Sequence, residues 1–462
     1  MATSPPKRIL FLSLELNFAP FSGNGVLARS LVSSLSKRND CTVKVICAKP
    51  HSTSYTKYSL SADINMMEAH DSLEIWPINL PPQCSWKRLD RSCAHQEYAT
   101  LCQQSDILQK IQKFDPNHII AVDWHGMLAY KAIASKCELE CKIIYYNFRV
   151  YSSSSWDHPA SNHGEKNEQS DDEFYKEQEQ MCCRIADAII CLANHDLQML
   201  QRLIREDKSI VDQSNKMKKI KILFPPLRGD ILALAEKYET SSEPFDSYLP
   251  IQARVAMEKL SDEGHSLPKR CFITCCTRLS PEKAPHHFIT LLQNLGGEDF
   301  LKKNSWVPVL CGAKSVSDYA ETIIKDFRSI CKEWPCVVID HHLGAQELAA
   351  LFLKTAVNVH PCLYDAYGMT LVESAAFQCP SIINSGNKVG ATSLLVEGHG
   401  CIAVGLEEII ENDKCSLQMK ILLDVLASPE SLNHVGKEAK SKALGWDETS
   451  CCQGLVNVLD NI

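Results

Sequence analysis

The stretch HPCLYDAYGMTLVESAAFQCPSII, residues 360–383, decides how the rest of the chain is read. A strand-like apolar run ends near His360. A short loop then carries Asp365, Tyr367 and Gly368, and a helical pattern starts near Thr370 and displays Glu373 in its first turn. Strand, glycine-bearing loop and helix in this order form a ligand clamp. Backbone amides of Met369, Thr370 and Leu371 at a helix N-terminus suit phosphate oxygens. Gly368 lets the backbone come close to a ligand. Asp365 and Glu373 accept hydrogen bonds at neutral pH and can hold sugar hydroxyls without a metal. An acid near a helix start is often no more than dipole compensation, so the neighbouring sequence has to decide.

Elsewhere in the chain, short apolar runs alternate with helix-length amphipathic segments. Upstream of the quoted stretch lie RCFITCCTRL, WVPVLCGA, PCVVIDHH and AVNVHPC, and within it PSII opens one more run. An earlier series reads RILFLSLEL, CTVKVICA, HIIAVDW, KIIYYNF, DAIICLA and KIKILFPP. This alternation predicts α/β structure with mostly parallel sheets covered by helices. At 462 residues the chain exceeds what one core supports, so two domains are expected. The boundary falls in the irregular segment that opens with PPLRGD, residues 225–230. The polar segment 151–172 reads as a surface loop, with a lid over an acceptor as the alternative.

Composition narrows the partners. Hydrophobic residues make up 45% and charged residues 23%, as in a folded globular protein. The formal charge is −8 and no long basic run occurs, so nucleic acid is not an expected partner. Many of the 22 cysteines sit in apolar runs, as Cys275, Cys276 and Cys311 do, where they act as small hydrophobes in a reducing compartment. No CxxC pair or acidic DxD motif suggests a resident metal. The first apolar run is short and contains Glu15, unlike a secretory leader, and no run is long enough for a transmembrane segment. A cytoplasmic protein is expected.

A second cluster is TCCTRLSPEKAPHHFI, residues 274–289. Arg278 and Lys283 flank a Ser280-Pro281 turn just beyond a strand, where two cations suit a diphosphate. Further upstream, NFAPFSGNGVLARSL puts Gly23 and Gly25 between a strand and a helix. AVDWHGML places Asp123, Trp124 and His125 at a strand end, although a lone histidine is more often structural. Arg149 follows another strand and is a further acceptor-side position.

These stretches, in this order, resemble the glycogen synthase-like retaining glycosyltransferases, family 4 of the GT-B fold. Asp365-x7-Glu373 is similar to the family's E-x7-E segment, with Ala366 for its first glycine, Tyr367 for its phenylalanine and Cys379-Pro380 for its Gly-Pro. Arg278 and Lys283 match G-R-L-x-x-x-K-G, with Thr277 and Ala284 replacing the glycines. Gly23 and Gly25 partly match a Gly-Gly-x-Gly-like loop, and Asp123-Trp124 matches part of H-x-H-D-W, with His125 near the missing histidine. Weaker agreements run from Glu179 to Asp196, at residues 394–404 and at SKALGWDET, residues 441–449.

The resemblance implies two Rossmann-like domains whose parallel sheets face a cleft. The acceptor-side domain would span 1–228 and be completed by a C-terminal helix in 432–462 crossing back, and the donor domain would span 229–431. It implies retaining, metal-independent transfer from a nucleotide-sugar donor to an unknown acceptor, with no cofactor. Asp365 would lie by the donor sugar, Glu373 on the ribose, Arg278 and Lys283 on the diphosphate, and Gly23 and Gly25 facing the donor. The Asp365, Ala366, Cys379 and Val122 departures keep a second reading open, a weak or inactive nucleotide-sugar-binding protein. An epimerase of the same fold is a further alternative, less suited to the Asp365-x7-Glu373 and Arg278–Lys283 pattern. A sugar phosphorylase is another, which would need a phosphate or pyridoxal site for which the sequence offers no convincing lysine environment.

Overall fold

The computed structural model describes residues 6–16, 18, 23–51, 71–84, 93–153, 168–240, 245–314, 317–411 and 416–462. Its contacts divide the chain into two units, Met1–Pro226 with Glu448–Ile462, and Leu227–Asp447.

The first unit is a seven-stranded sheet of β1 (Lys7–Ser13), β2 (Cys41–Lys49), β3 (Leu73–Asn79), β4 (His118–Val122), β5 (Lys142–Asn147), β6 (Ala188–Cys191) and β7 (Ile220–Ile222). The order is β3-β2-β1-β4-β5-β6-β7 and every pairing is parallel. The second unit holds β8 (Phe272–Cys276), β9 (Val307–Cys311), β10 (Val337–Ile339), β11 (Thr355–Val359), β12 (Ser381–Asn384) and β13 (Ile402–Val404) in the order β10-β9-β8-β11-β12-β13, also parallel.

Uncharged, mostly apolar runs explain why these segments are central strands. FITCC, VPVLC and TAVNV are buried along their whole length, the pattern of a sheet covered by helices on both faces. The first unit's core adds large rings, among them Tyr98, Trp124 and Tyr145, each fully buried. Burying one such side chain contributes about 1.5–3 kcal/mol. In both sheets the strand order reverses direction between two central neighbours, β1 and β4 in the first unit and β8 and β11 in the second. Ligands of open α/β sheets bind at the carboxyl ends of strands flanking such a reversal.

The C-terminal helix Glu448–Asp460 packs on helix Gly23–Ser36 of the first unit, with Ser30 Oγ donating to Glu448 at 2.6 Å and Lys7 Nζ 2.7 Å from Asp460. Residues 432–447, expected with the first domain, belong to the second unit. Helix Pro429–Leu444 packs on helix Met369–Ala376, and Gln378 donates to Asn433 at 2.7 Å. Of the predicted polar loop, residues 154–167 lie outside the described residues, as do 17 and 19–22 of the glycine-bearing stretch. No helix among the described residues is long and apolar enough to cross a membrane.

Candidate functional site

In the second unit the ends of β8 and β11 bring together the residues singled out from sequence. After β8 the chain makes a 3-10 turn at Pro281–Lys283, and Lys283 Nζ reaches Asp365 Oδ2 at 2.5 Å. Arg278 Nη2 lies 3.1 Å from Glu282, whose Oε1 also accepts from Ser280 at 2.6 Å, so the two cations are held differently. Arg278 is tethered within its own turn. Lys283 reaches across to the loop that follows β11.

That loop is fixed by its neighbours. Asp365 N donates to Lys388 O at 3.2 Å, Gly390 N to Asp365 O at 2.9 Å, and Ala391 N to Tyr367 O at 2.7 Å. Sequence reading gave residues 385–391 no part in the site. Gly390 was the available signal, because a Cβ there would lie 1.9 Å from the Ala366 carbonyl oxygen. Tyr367 is buried beside it. Gly368 has φ +85° and caps helix Met369–Ala376, as the left-handed turn into the helix requires. The Leu371 amide, expected to face phosphate, donates to the Gly368 carbonyl at 3.0 Å. Met369 and Thr370 form the first turn above it.

Burial alone would raise the Asp365 pKa, but Lys283 and His360 beside it hold the carboxyl well below the usual carboxylate range. His360 Nε2 stands 3.1 Å from Asp365 Oδ2 without the alignment of a hydrogen bond. Burial opposes its cation, while Cys362 and Asp365 raise its pKa to about 9. The result is one anion between two cationic groups at the end of β11.

Glu373 is the fifth residue of its helix, in the second turn rather than the first. It is buried, and its Oε1 accepts from Arg228 at 3.0 Å, while the same guanidinium holds Asp230 at 2.6 Å. Burial raises the Glu373 pKa against the pull of Arg228. Arg228 stands 145 residues from Glu373 in the chain and was not singled out from sequence.

The first unit forms its own cluster at the reversal between β1 and β4. Asp123 begins helix Asp123–Ala134 with φ +51°, a left-handed conformation costly for a non-glycine residue. Its two oxygens accept from Phe148 N at 2.7 Å and Asn24 Nδ2 at 2.9 Å, which hold it there. Burial pushes its pKa up to about 8. Glu179, also buried, accepts from Tyr151 N at 2.5 Å and Ser152 Oγ at 2.5 Å, and burial raises it to about 7. The two carboxylates thus fasten both ends of the segment carrying Arg149, whose guanidinium lies 5.6 Å from the Tyr151 ring centroid. His125 is buried among rings, 4.0 Å from Trp124 and 5.7 Å from both His95 and Tyr151. Gly23 and Gly25, expected in a loop, lie in the first turn of helix Gly23–Ser36.

The sequence matches no family model and no curated protein. Among solved structures the chain is similar to sucrose-phosphate synthase from Thermosynechococcus elongatus, with TM-score 0.68 and 12% identity over 99% of both chains. It is similar to Anabaena HepE in complex with UDP and glucose, with TM-score 0.58 and 13% identity over 98% of this chain and 99% of the other. It is also similar to the catalytic domain of Arabidopsis thaliana starch synthase IV bound to ADP and acarbose, with TM-score 0.64 and 11% identity over 99% of both. At these identities the likeness establishes the fold, which is GT-B, as the sequence resemblance implied.

Proposed function

We propose that the chain is a glycosyltransferase that takes a sugar from a nucleoside diphosphate donor bound by the second unit. The observation that carries this reading is the meeting of Arg278, Lys283, Asp365 and the helix that begins at Met369, all at the carboxyl ends of β8 and β11. A diphosphate placed there finds two cations and a helix N-terminus. A sugar beyond it finds a fixed carboxylate acceptor. Structural neighbours of this fold include proteins solved with UDP or ADP, which supports a donor of this class.

In the proposed reaction the bond from C1 of the sugar to the diphosphate breaks, and an acceptor hydroxyl oxygen bonds to C1 as its proton passes to the leaving diphosphate. Arg278 and Lys283 take up the charge on the leaving diphosphate, the role a divalent metal fills elsewhere, so no metal is required. Asp365 holds sugar hydroxyls, and the configuration at C1 is retained. Lys283 changes partner on donor binding, from Asp365 to phosphate. Glu373 would meet the donor ribose with the oxygen that Arg228 does not take. The acceptor is met by the first unit, near Asp123, His125 and Arg149.

The test is a screen of UDP-, GDP- and ADP-sugars in chelator-treated buffer, read by nucleotide release and thermal shift. Release from one donor, lost in Arg278→Ala, establishes the reading. A thermal shift without release across a broad acceptor mixture identifies a nucleotide-sugar-binding protein instead. No shift with any nucleotide overturns the donor site.

A further inference from the structure

The end of β11 carries three side chains whose chemistry the transfer reaction does not use together. His360, Cys362 and Asp365 each offer one ligand atom, and these atoms all lie within 4.8 Å of one another. His360 and Cys362 are almost wholly buried, and Asp365 keeps a narrow exposure. Among the described residues they are the one such group of His, Cys, Asp or Glu side chains.

We infer that His360, Cys362 and Asp365 form a zinc-binding site that competes with Lys283 for the Asp365 carboxylate. Four observations support it. First, the ligand set is imidazole, thiol and carboxylate, which suits zinc and ill suits magnesium or calcium, whose ligands are oxygens. Second, zinc bonds of about 2.0–2.1 Å to nitrogen and oxygen put neighbouring ligand atoms about 3.3 Å apart in a tetrahedron. His360 Nε2 and Asp365 Oδ2 are already 3.1 Å apart. Third, that imidazole nitrogen is buried and close to its partner without the alignment of a hydrogen bond, so no hydrogen bond is lost when it turns to a metal. Fourth, the Lys283 ammonium already occupies the cation position on Asp365 at 2.5 Å, and the Cys362 thiol rests against the Lys283 carbonyl at 3.4 Å. A positive charge is therefore at home here, and the side chain that supplies it is flexible and about a quarter exposed. Three protein ligands leave a fourth position for water.

Zinc entering the site displaces Lys283 from Asp365 and releases two protons to solvent, one from the Cys362 thiol and one from the His360 imidazolium. If the second unit binds a donor as proposed, the ion also takes the carboxylate from the sugar and blocks turnover. This last consequence rests on the transferase reading; the binding claim does not.

The test is zinc affinity of the full chain measured against a chromophoric chelator, with cobalt as a spectroscopic stand-in. The wild-type chain binds one ion more tightly than the Cys362→Ser chain by about 100-fold, because loss of a direct ligand costs at least what loss of a supporting partner does. The cobalt complex shows thiolate-to-metal absorption that Cys362→Ser abolishes. Lys283→Met, which keeps most of the apolar stem of a side chain about a quarter exposed, tightens zinc about tenfold by removing the competing charge. Equal affinity in wild type and Cys362→Ser, or zinc binding unchanged by Lys283→Met, overturns the site. Neither readout requires turnover, so failure of the zinc site and failure of the transferase reading are told apart.

Discussion

Ala284 and the Arg228–Glu373 pair show how local conformation and charge are traded around the proposed donor site. Ala284 stands where the resembling family has glycine, and its φ is +45°, a left-handed conformation that costs an L-residue about 1–2 kcal/mol. Ala284→Gly removes that strain but frees the unfolded chain by up to about 1 kcal/mol. The net expectation is a gain of about 0.5 kcal/mol, seen as a higher urea midpoint with an unchanged slope; a loss of stability would mean that Ala284 is not strained. Arg228 and Glu373 form the opposite kind of pair. Glu373 is buried and Arg228 supplies its compensating charge, so Arg228→Leu leaves a buried carboxylate alone and destabilises by about 3–5 kcal/mol. Arg228→Leu combined with Glu373→Leu recovers most of that loss, since an apolar pair replaces a buried ion pair at little cost. A double-mutant cycle by denaturant unfolding measures the coupling. Two independent losses that simply add would show that Arg228 does not compensate Glu373.

At the scale of elements, the parts legible in the sequence are those set by local pattern. FITCC and TAVNV read as buried strands because an uncharged, mostly apolar run of that length fits a sheet covered on both faces, and they are β8 and β11. The turn with Arg278 and Lys283, and the loop with Asp365 and Gly368, follow those strands and were readable for the same reason. Contacts between distant segments were not readable. Arg228 meets Glu373, and residues 388–391 brace Asp365 and Tyr367, through proximity that only the folded sheet creates. The C-terminal residues divide between units because helix Pro429–Leu444 and helix Glu448–Asp460 pack on different partners, a choice no periodicity reveals. The brace at Gly390 carries a prediction. Gly390→Ala forces a Cβ into the Ala366 carbonyl, so the loop bearing Asp365 must move. We expect a loss of about 1–3 kcal/mol in stability, as for overpacking elsewhere, together with weaker donor binding. Thermal unfolding and nucleotide titration of the same variant check it; donor affinity equal to wild type would show that the brace does not position Asp365.

For the molecule as a whole, the buried carboxylates give the two units different responses to pH. In the first unit Asp123 and Glu179 have folded pKa values of about 8 and about 7, above those of an unfolded chain. Over that interval the folded unit holds more protons than the unfolded one, so its stability is greatest in mild acid and falls as pH rises, by up to about 1.4 kcal/mol per pH unit for each group. In the second unit Asp365 has its pKa depressed by Lys283 and His360, so its contribution is present above the unfolded value and is lost only as pH falls below about 4. His360, raised to about 9, adds stability that is full below about 6.5 and fades as pH climbs through the folded value. Glu373, buried in the second unit, has its pKa raised as well, against the pull of Arg228, and adds a loss of the same sign there. Between about pH 5 and 6.5 the first unit, with two such carboxylates, should therefore weaken more steeply than the second. Calorimetry over this range should show the transition of the first unit moving down in temperature and separating from that of the second. Asp123→Asn and Glu179→Gln should flatten that movement, because an amide keeps the shape without the titration, and the other transition should keep its wild-type course. A first-unit transition that rises with pH, or a pH response unchanged in the double variant, would mean that these carboxylates stay ionised in the folded chain, held by Arg149 and by the backbone amides of Phe148 and Tyr151.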